Sequence, residues 1–244
     1  MIEWDDFDYE TPELGSESDE YEVSARNALE QFFDANSSGV FFGNQLAVQN
    51  EDVFFHWITY RAIADLIDAG LIHTERRKMA IGSEIKLVWH RKHRYYKRDA
   101  KRVVDLVDEY GSPNICAAMG LHGEQMILGG FARKQFVMRD HNTRRFLDRE
   151  WNETDHNLDF IFERDGRAYG VEVKNTLSYM DRKEFEIKIR LCEALGITPV
   201  FAVRMLPKSW IYELISRGWI CDDSEVSVVS VDTHQLGSQG SARA

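Results

Sequence analysis

Residues 157–176 read NLDFIFERDGRAYGVEVKNT, and this stretch decides the fold. Two runs rich in β-branched and aromatic residues, 158–163 and 168–174, flank Arg164-Asp165-Gly166-Arg167, and an Asp-Gly pair between two such runs is a hairpin turn signal. Side chains alternate between the faces of a strand, so Glu172 and Lys174 point one way and Val171 and Val173 the other, one face apolar and the other charged. The central strand of a mixed sheet is covered on both sides, so an acid and a lysine two residues apart need a reason to be there. A cleft is one. Asp159, on the preceding strand, adds a second carboxylate, and two such groups sit together at low cost only around a hard divalent cation. A surface salt bridge between Glu172 and Lys174 is the simpler reading of the same residues.

Outward from the hairpin, residues 115–128 read as helix, 131–138 as extended, 182–195 as helix and 199–203 as extended. With the two hairpin strands the order is α, β, β, β, α, β, an α/β pattern with a mixed central sheet. A further helix over 208–217 and a strand over 226–231 follow, before a Gly/Ser tail, 237–244, with little to bury.

Asp159, then twelve residues, then Glu172-Val173-Lys174, set in that order of elements, resembles the PD-(D/E)xK nuclease superfamily, the fold of restriction endonucleases and archaeal Holliday-junction resolvases. The resemblance implies a Mg²⁺ (or Mn²⁺) ion held by Asp159, Glu172 and the carbonyl of Val173, with Lys174 orienting or polarising the attacking water. It also implies a further acid on the preceding helix, for which Glu124 in GLHGEQMILGG stands at the matching place. Leu158 replaces the proline of the motif name, a residue frequently absent from members. Lys188, on the helix after the motif, is within range of a phosphate, although Glu184, Glu186, Lys188 and Arg190 also read as the solvated side of that helix.

The first half of the chain reads differently. Ala25, Leu29, Phe32 and Phe33 recur at helical spacing, an apolar strand follows at Val40–Phe42, and TYRAIADLIDAGLI gives a helix stopped by Gly70. Residues 72–79 and 84–89 then form a hairpin about Gly82. Helices followed by a basic hairpin, over roughly residues 21–92, resemble a winged-helix domain. The formal net charge of -11 is deceptive: residues 1–22 hold ten acids and no base, whereas residues 73–102 carry eleven Lys or Arg against three acids. Trp89, Tyr95 and Tyr96 are interleaved with those cations, a mixture suited to phosphate contact and stacking. Arg76, Arg77, Lys78, Arg91, Lys92, Arg94, Lys97 and Arg98 are the expected nucleic-acid contacts. The helix from Thr59 shows Asp65 and Asp68 beside Arg61, a poor surface for the major groove and one that also suits a protein partner.

With 43% apolar and 29% charged residues the chain is globular in composition. No apolar run approaches a membrane span, the acidic start is unlike a secretory leader, and Cys116, Cys192 and Cys221 have no zinc-ligand or disulfide-framework spacing, so a cytoplasmic protein is expected. Neither GxxxxGK[ST] nor GxGxxG occurs, which leaves nucleotide-driven chemistry without support. The expected organisation is an acidic disordered tail (1–22), a winged-helix-like domain (23–97), a connecting helix (98–113), a restriction-endonuclease-like domain (114–236) and a flexible tail (237–244). The function to which these readings lead is a metal-dependent DNA endonuclease acting as a homodimer, on a substrate whose shape, branched or single-stranded included, the sequence leaves open. The alternative is a non-catalytic module that binds DNA or protein on a nuclease fold.

Overall fold

The computed structural model describes residues 20–80 and 82–219, and the chain divides into two compact units, one ending at Cys116 and the other beginning at Ala117. Residues 1–19, with most of the acidic segment, the strand expected over 226–231 and the Gly/Ser tail lie outside the described residues. No helix among the described residues is long and apolar enough to cross a membrane.

The first unit holds α1 (Glu20–Ala35), β1 (Val40–Phe42), α2 (Gly43–Gln49), α3 (His56–Asp68), β2 (Ile72–Lys78), β3 (Glu84–His90) and α4 (Tyr96–Tyr110). Its antiparallel sheet runs β1-β3-β2. Helix α1 buries Ala25, Leu29 and Phe33, the apolar stripe of its sequence, and α3 buries Ile63 and Leu66. Gly70 ends α3 with a φ of +66°, where a side chain would be strained, and turns the chain directly into β2. Leu87 and Val88, adjacent on β3, are both fully buried, as a central strand covered on both faces requires.

The second unit is α/β. It contains most of α5 (Pro113–Arg133), then β4 (Val137–Thr143), the short pair β5 (Arg145–Phe146) and β6 (Arg149–Glu150), β7 (Leu158–Arg164), β8 (Arg167–Lys174), α6 (Arg182–Leu195), β9 (Thr198–Val203) and α7 (Lys208–Ser216). The main sheet runs β4-β7-β8-β9, antiparallel up to β8 and parallel between β8 and β9, with α6 as the crossover. Asp165 and Gly166 both take left-handed backbone, with φ of 54° and 74°, which gives the two-residue turn whose twist matches the strands it joins. One apolar cluster sets Ile127 and Phe131 of α5 against Phe160, Phe162 and Val171, and another sets Leu191, Cys192 and Leu195 of α6 against Leu158 and Ile161. Each fully buried Phe of this core, Phe162 or Phe185, contributes about 1.5–3 kcal/mol. A Cβ on Gly170 would fall 2.7 Å from both Cys192 Sγ and Leu158 Cδ1, so β8 needs glycine where α6 crosses it.

The structure corrects one expected element. Residues 131–138 read as extended, but α5 continues to Arg133 and the strand begins only at Val137. Phe131 stacks on Phe162 with ring centres 4.3 Å apart, and this packing outweighs the strand preference of the Phe-rich segment.

Candidate active site

The hairpin brings Asp159 of β7 beside Glu172 of β8, and Asp159 Oδ2 accepts a hydrogen bond of 2.7 Å from the amide of Val173. Along β8, Glu172 lies against Phe201 of β9 and Lys174 against Val203. The face they share is not a charged one. It is apolar, with Phe201 and Val203 packed under Phe185 and Ile189 of α6, and Asp159, Glu172 and Lys174 are polar exceptions within it.

Helix α6 supplies their partners. Lys188 Nζ donates to Glu172 Oε2 at 2.5 Å and also to the main-chain carbonyl of Asn157, just before β7, while Lys174 Nζ donates to Glu184 Oε1 at 2.8 Å. Two residues along a strand span about 6.6 Å, close to the neighbour spacing of positions four apart on a helix, so β8 and α6 pair crosswise in two rungs. The alternative of a bridge between Glu172 and Lys174 is replaced by these. Lys188 is not on a solvated helix side either, since it is only 5% exposed. The signal in the sequence was the four-residue spacing of Glu184 and Lys188, the reverse in sign of Glu172 and Lys174.

Burial dominates the electrostatics. It pushes the Glu172 carboxyl up to about 7, with the charge of Asp159 adding to the rise and Lys188 opposing it. Asp159 is also raised by burial, against the Val173 amide and the two lysines, and Glu124 is raised by burial and then by Asp159. Burial works against the ammonium of Lys174, but Glu184, Glu172 and Asp159 outweigh it and hold its pKa above the ordinary value. Burial thus raises all three carboxyls even with two lysines in the site.

Glu124 reaches this region through a close contact. A Cβ on Gly123 would lie 2.7 Å from Cβ of Asn175, whose Nδ2 donates to the Met119 carbonyl at 2.9 Å, so α5 is fastened to the residue that follows β8. Arg204 Nε donates to Asn175 Oδ1 at 2.7 Å from beyond β9. Asn175 was not singled out in the sequence, where it is simply the polar residue after Lys174. Among the described residues no three of His, Cys, Asp and Glu are grouped closely enough to hold a metal ion. Asp159 and Glu172, adjacent across β7 and β8, remain the pair that the sequence resemblance assigns to one. Each gives one oxygen to an internal donor, Asp159 Oδ2 to the Val173 amide and Glu172 Oε2 to Lys188. Two hard carboxylates fit Mg²⁺ or Mn²⁺ by the chemistry of their oxygens, since Mg²⁺ usually takes one or two carboxylates and keeps several waters.

The cations of the first unit are distributed over β2 (Arg76, Arg77, Lys78), the turn after β3 (Arg91, Lys92, Arg94) and the start of α4 (Lys97, Arg98). Arg77 is tied to Glu75 at 2.9 Å and Lys92 to Asp34 at 3.5 Å, while Arg76, Lys78, Arg91, Arg94, Lys97 and Arg98 have exposed side chains. Neither histidine near the motif points to a metal: His141 is exposed and the His156 ring is 3.0 Å from the Thr154 hydroxyl. In comparisons with family models, curated proteins and solved structures, the chain matches none.

Proposed function

We propose that the second unit hydrolyses phosphodiester bonds of DNA with a divalent cation at Asp159 and Glu172, and that the first unit binds the DNA. The observation that carries this is the pair of carboxylates on adjacent strands, Glu172 buried and Asp159 half-buried, each with one oxygen held by an internal donor, with Lys174 on the same face. Asp159 and Glu172 would hold the ion, the carbonyl of Val173 is the further ligand that the resemblance implies, and Glu124 would act from the neighbouring helix. When bound, such an ion makes water a nucleophile near neutral pH and neutralises charge on the phosphate.

The chain's own residues do the rest. The Val173 amide fixes the rotation of the Asp159 carboxylate, and Lys188 fixes that of Glu172. Lys174 holds a permanent positive charge where negative charge develops on the phosphate, and Glu184 keeps that ammonium in place until the substrate arrives. The order of elements supports a restriction-endonuclease-like reading of the second unit, and the helices with their basic hairpin a winged-helix-like reading of the first.

One observation favours a second reading. The two crosswise Lys–Glu pairs satisfy both lysines internally, as expected of a non-catalytic module whose charged residues hold the sheet to the helix. Cleavage of a panel of labelled duplex, branched and single-stranded DNAs in Mg²⁺, Mn²⁺ or EDTA separates the two. Activity that requires the metal and is lost in Asp159→Ala, Glu172→Ala and Lys174→Ala, with DNA binding retained, is the expected result. Full activity in Glu172→Ala overturns the site.

A further inference from the structure

In the first unit a shallow cleft of about 610 Å³ lies between β2, the turn after β3 and the start of α4. Its floor is Trp89, only 5% exposed, with the ring of Tyr96 stacked on it at 4.0 Å and nearly parallel, at 10°. His73, opposite Trp89 on β2, stands beside the stack with its ring centre 6.1 Å away. Arg91 and Arg94 line the rim with exposed side chains, and the one acid in the lining, Glu75, has its charge met by Arg77 at 2.9 Å.

We infer that this cleft takes an unpaired nucleotide of single-stranded DNA, its base against Tyr96 backed by Trp89 and its phosphates on Arg91 and Arg94. The inference rests on the reading of the first unit as the DNA-binding one and names the form of DNA it prefers. The bases of a duplex are stacked on one another and present only their edges, so an aromatic platform serves only a base that is unpaired. The volume falls in the range of clefts that enclose small ligands, about 300–1,000 Å³, which suits a nucleotide and not a duplex. The helix that would enter a major groove is badly charged for it: α3 exposes Asp65 and Asp68, and its Arg61 is bonded to Glu22 of α1. Cations and aromatic surface instead coincide in the cleft, the combination by which proteins hold single strands.

The test is fluorescence anisotropy of the full chain in EDTA, which prevents cleavage, with a labelled 12-nucleotide single strand and the duplex of the same sequence. The single strand is expected to bind at least about tenfold more tightly, given a stacking contribution of roughly 1–3 kcal/mol per base. A 2-aminopurine in the single strand should be quenched on binding. Arg91→Gln with Arg94→Gln, on exposed positions that leave folding intact, should weaken single-strand binding roughly fivefold or more, and Tyr96→Leu should remove the quenching. Duplex binding as tight as that of the single strand, or single-strand binding unchanged in the arginine variant, overturns the inference. Failure to bind either form overturns the DNA-binding reading as well. A single-strand preference in a protein that cleaves nothing would leave the inference standing and remove only the catalytic proposal.

Discussion

The Lys188 ammonium has two acceptors, the Glu172 carboxylate and the Asn157 carbonyl, and almost no access to water. Removing Lys188 leaves Glu172 either to stay charged and unsolvated or to take up a proton, and the loss of one member of a buried ion pair typically costs about 3–5 kcal/mol. Lys188→Met is therefore expected to lower the unfolding free energy by about that amount in urea titrations, and Lys188→Met with Glu172→Gln by much less. Equal losses in the single and double variants would mean that the pair is not coupled. Glu172 also sets a pH dependence. In the folded chain its carboxyl lies near 7 against an ordinary value of 4.5, so between these values the folded state binds a proton that the unfolded state has released. Stability in the absence of divalent ions should fall as pH rises through this window, by up to about 3 kcal/mol. The melting temperature of Glu172→Gln should lack that fall between about pH 5 and pH 8, whereas parallel curves for the two proteins would contradict the buried charge.

At the level of elements, α6 depends on its first turn. Asp181 Oδ1 accepts from the amides of Lys183 and Glu184, at 2.8 and 3.2 Å, and so caps the helix exactly where Glu184 turns towards Lys174. Asp181→Ala should destabilise the protein by about 1 kcal/mol and loosen the Lys174 rung, read by denaturation and by the mobility of the Lys174 side chain in NMR relaxation. How far each element was legible follows from the same kind of local chemistry. The β7–β8 hairpin was legible because Asp165-Gly166 admits few conformations, and α6 because its apolar stripe ends at Gly196, with a φ of 70°. Helix α2 gave no signal, since its cap is Phe42 and makes no side-chain bond, and β5 and β6 are too short for a pattern. In the site, Asp159, Glu172 and Lys174 were legible as strand positions. The roles of Lys188 and Glu184 were not, because a helical charge reads alike whether it faces solvent or a buried partner, and only the packing of α6 over β8 decides which.

Over the whole molecule, charge is divided by segment, with ten acids in residues 1–22 and the basic cluster on the first unit. If that cluster carries the DNA, neutralising Arg76, Arg77 and Lys78 should weaken binding to all sequences and flatten its salt dependence, each lost contact removing about 0.7 from the logarithmic slope for a single strand and about 0.9 for a duplex. An unchanged slope would place the DNA elsewhere. The mixed sheet of the second unit has a consequence in time as well as in space. The β7–β8 turn is two residues long, whereas Glu172 meets Lys188 sixteen residues on and β8 meets β9 with Tyr169 opposite Thr198. The contact that closes first as the chain folds thus gathers Asp159 and Glu172 with the Val173 amide to hold Asp159 but before Lys188 can pair with Glu172. A hairpin that repels itself is a poor nucleus, so α6 has to dock as the strands pair, and the barrier to folding contains the helix and the hairpin together. Stopped-flow measurements on Lys188→Met should show slower refolding as well as faster unfolding, the mark of an interaction partly formed in the transition state.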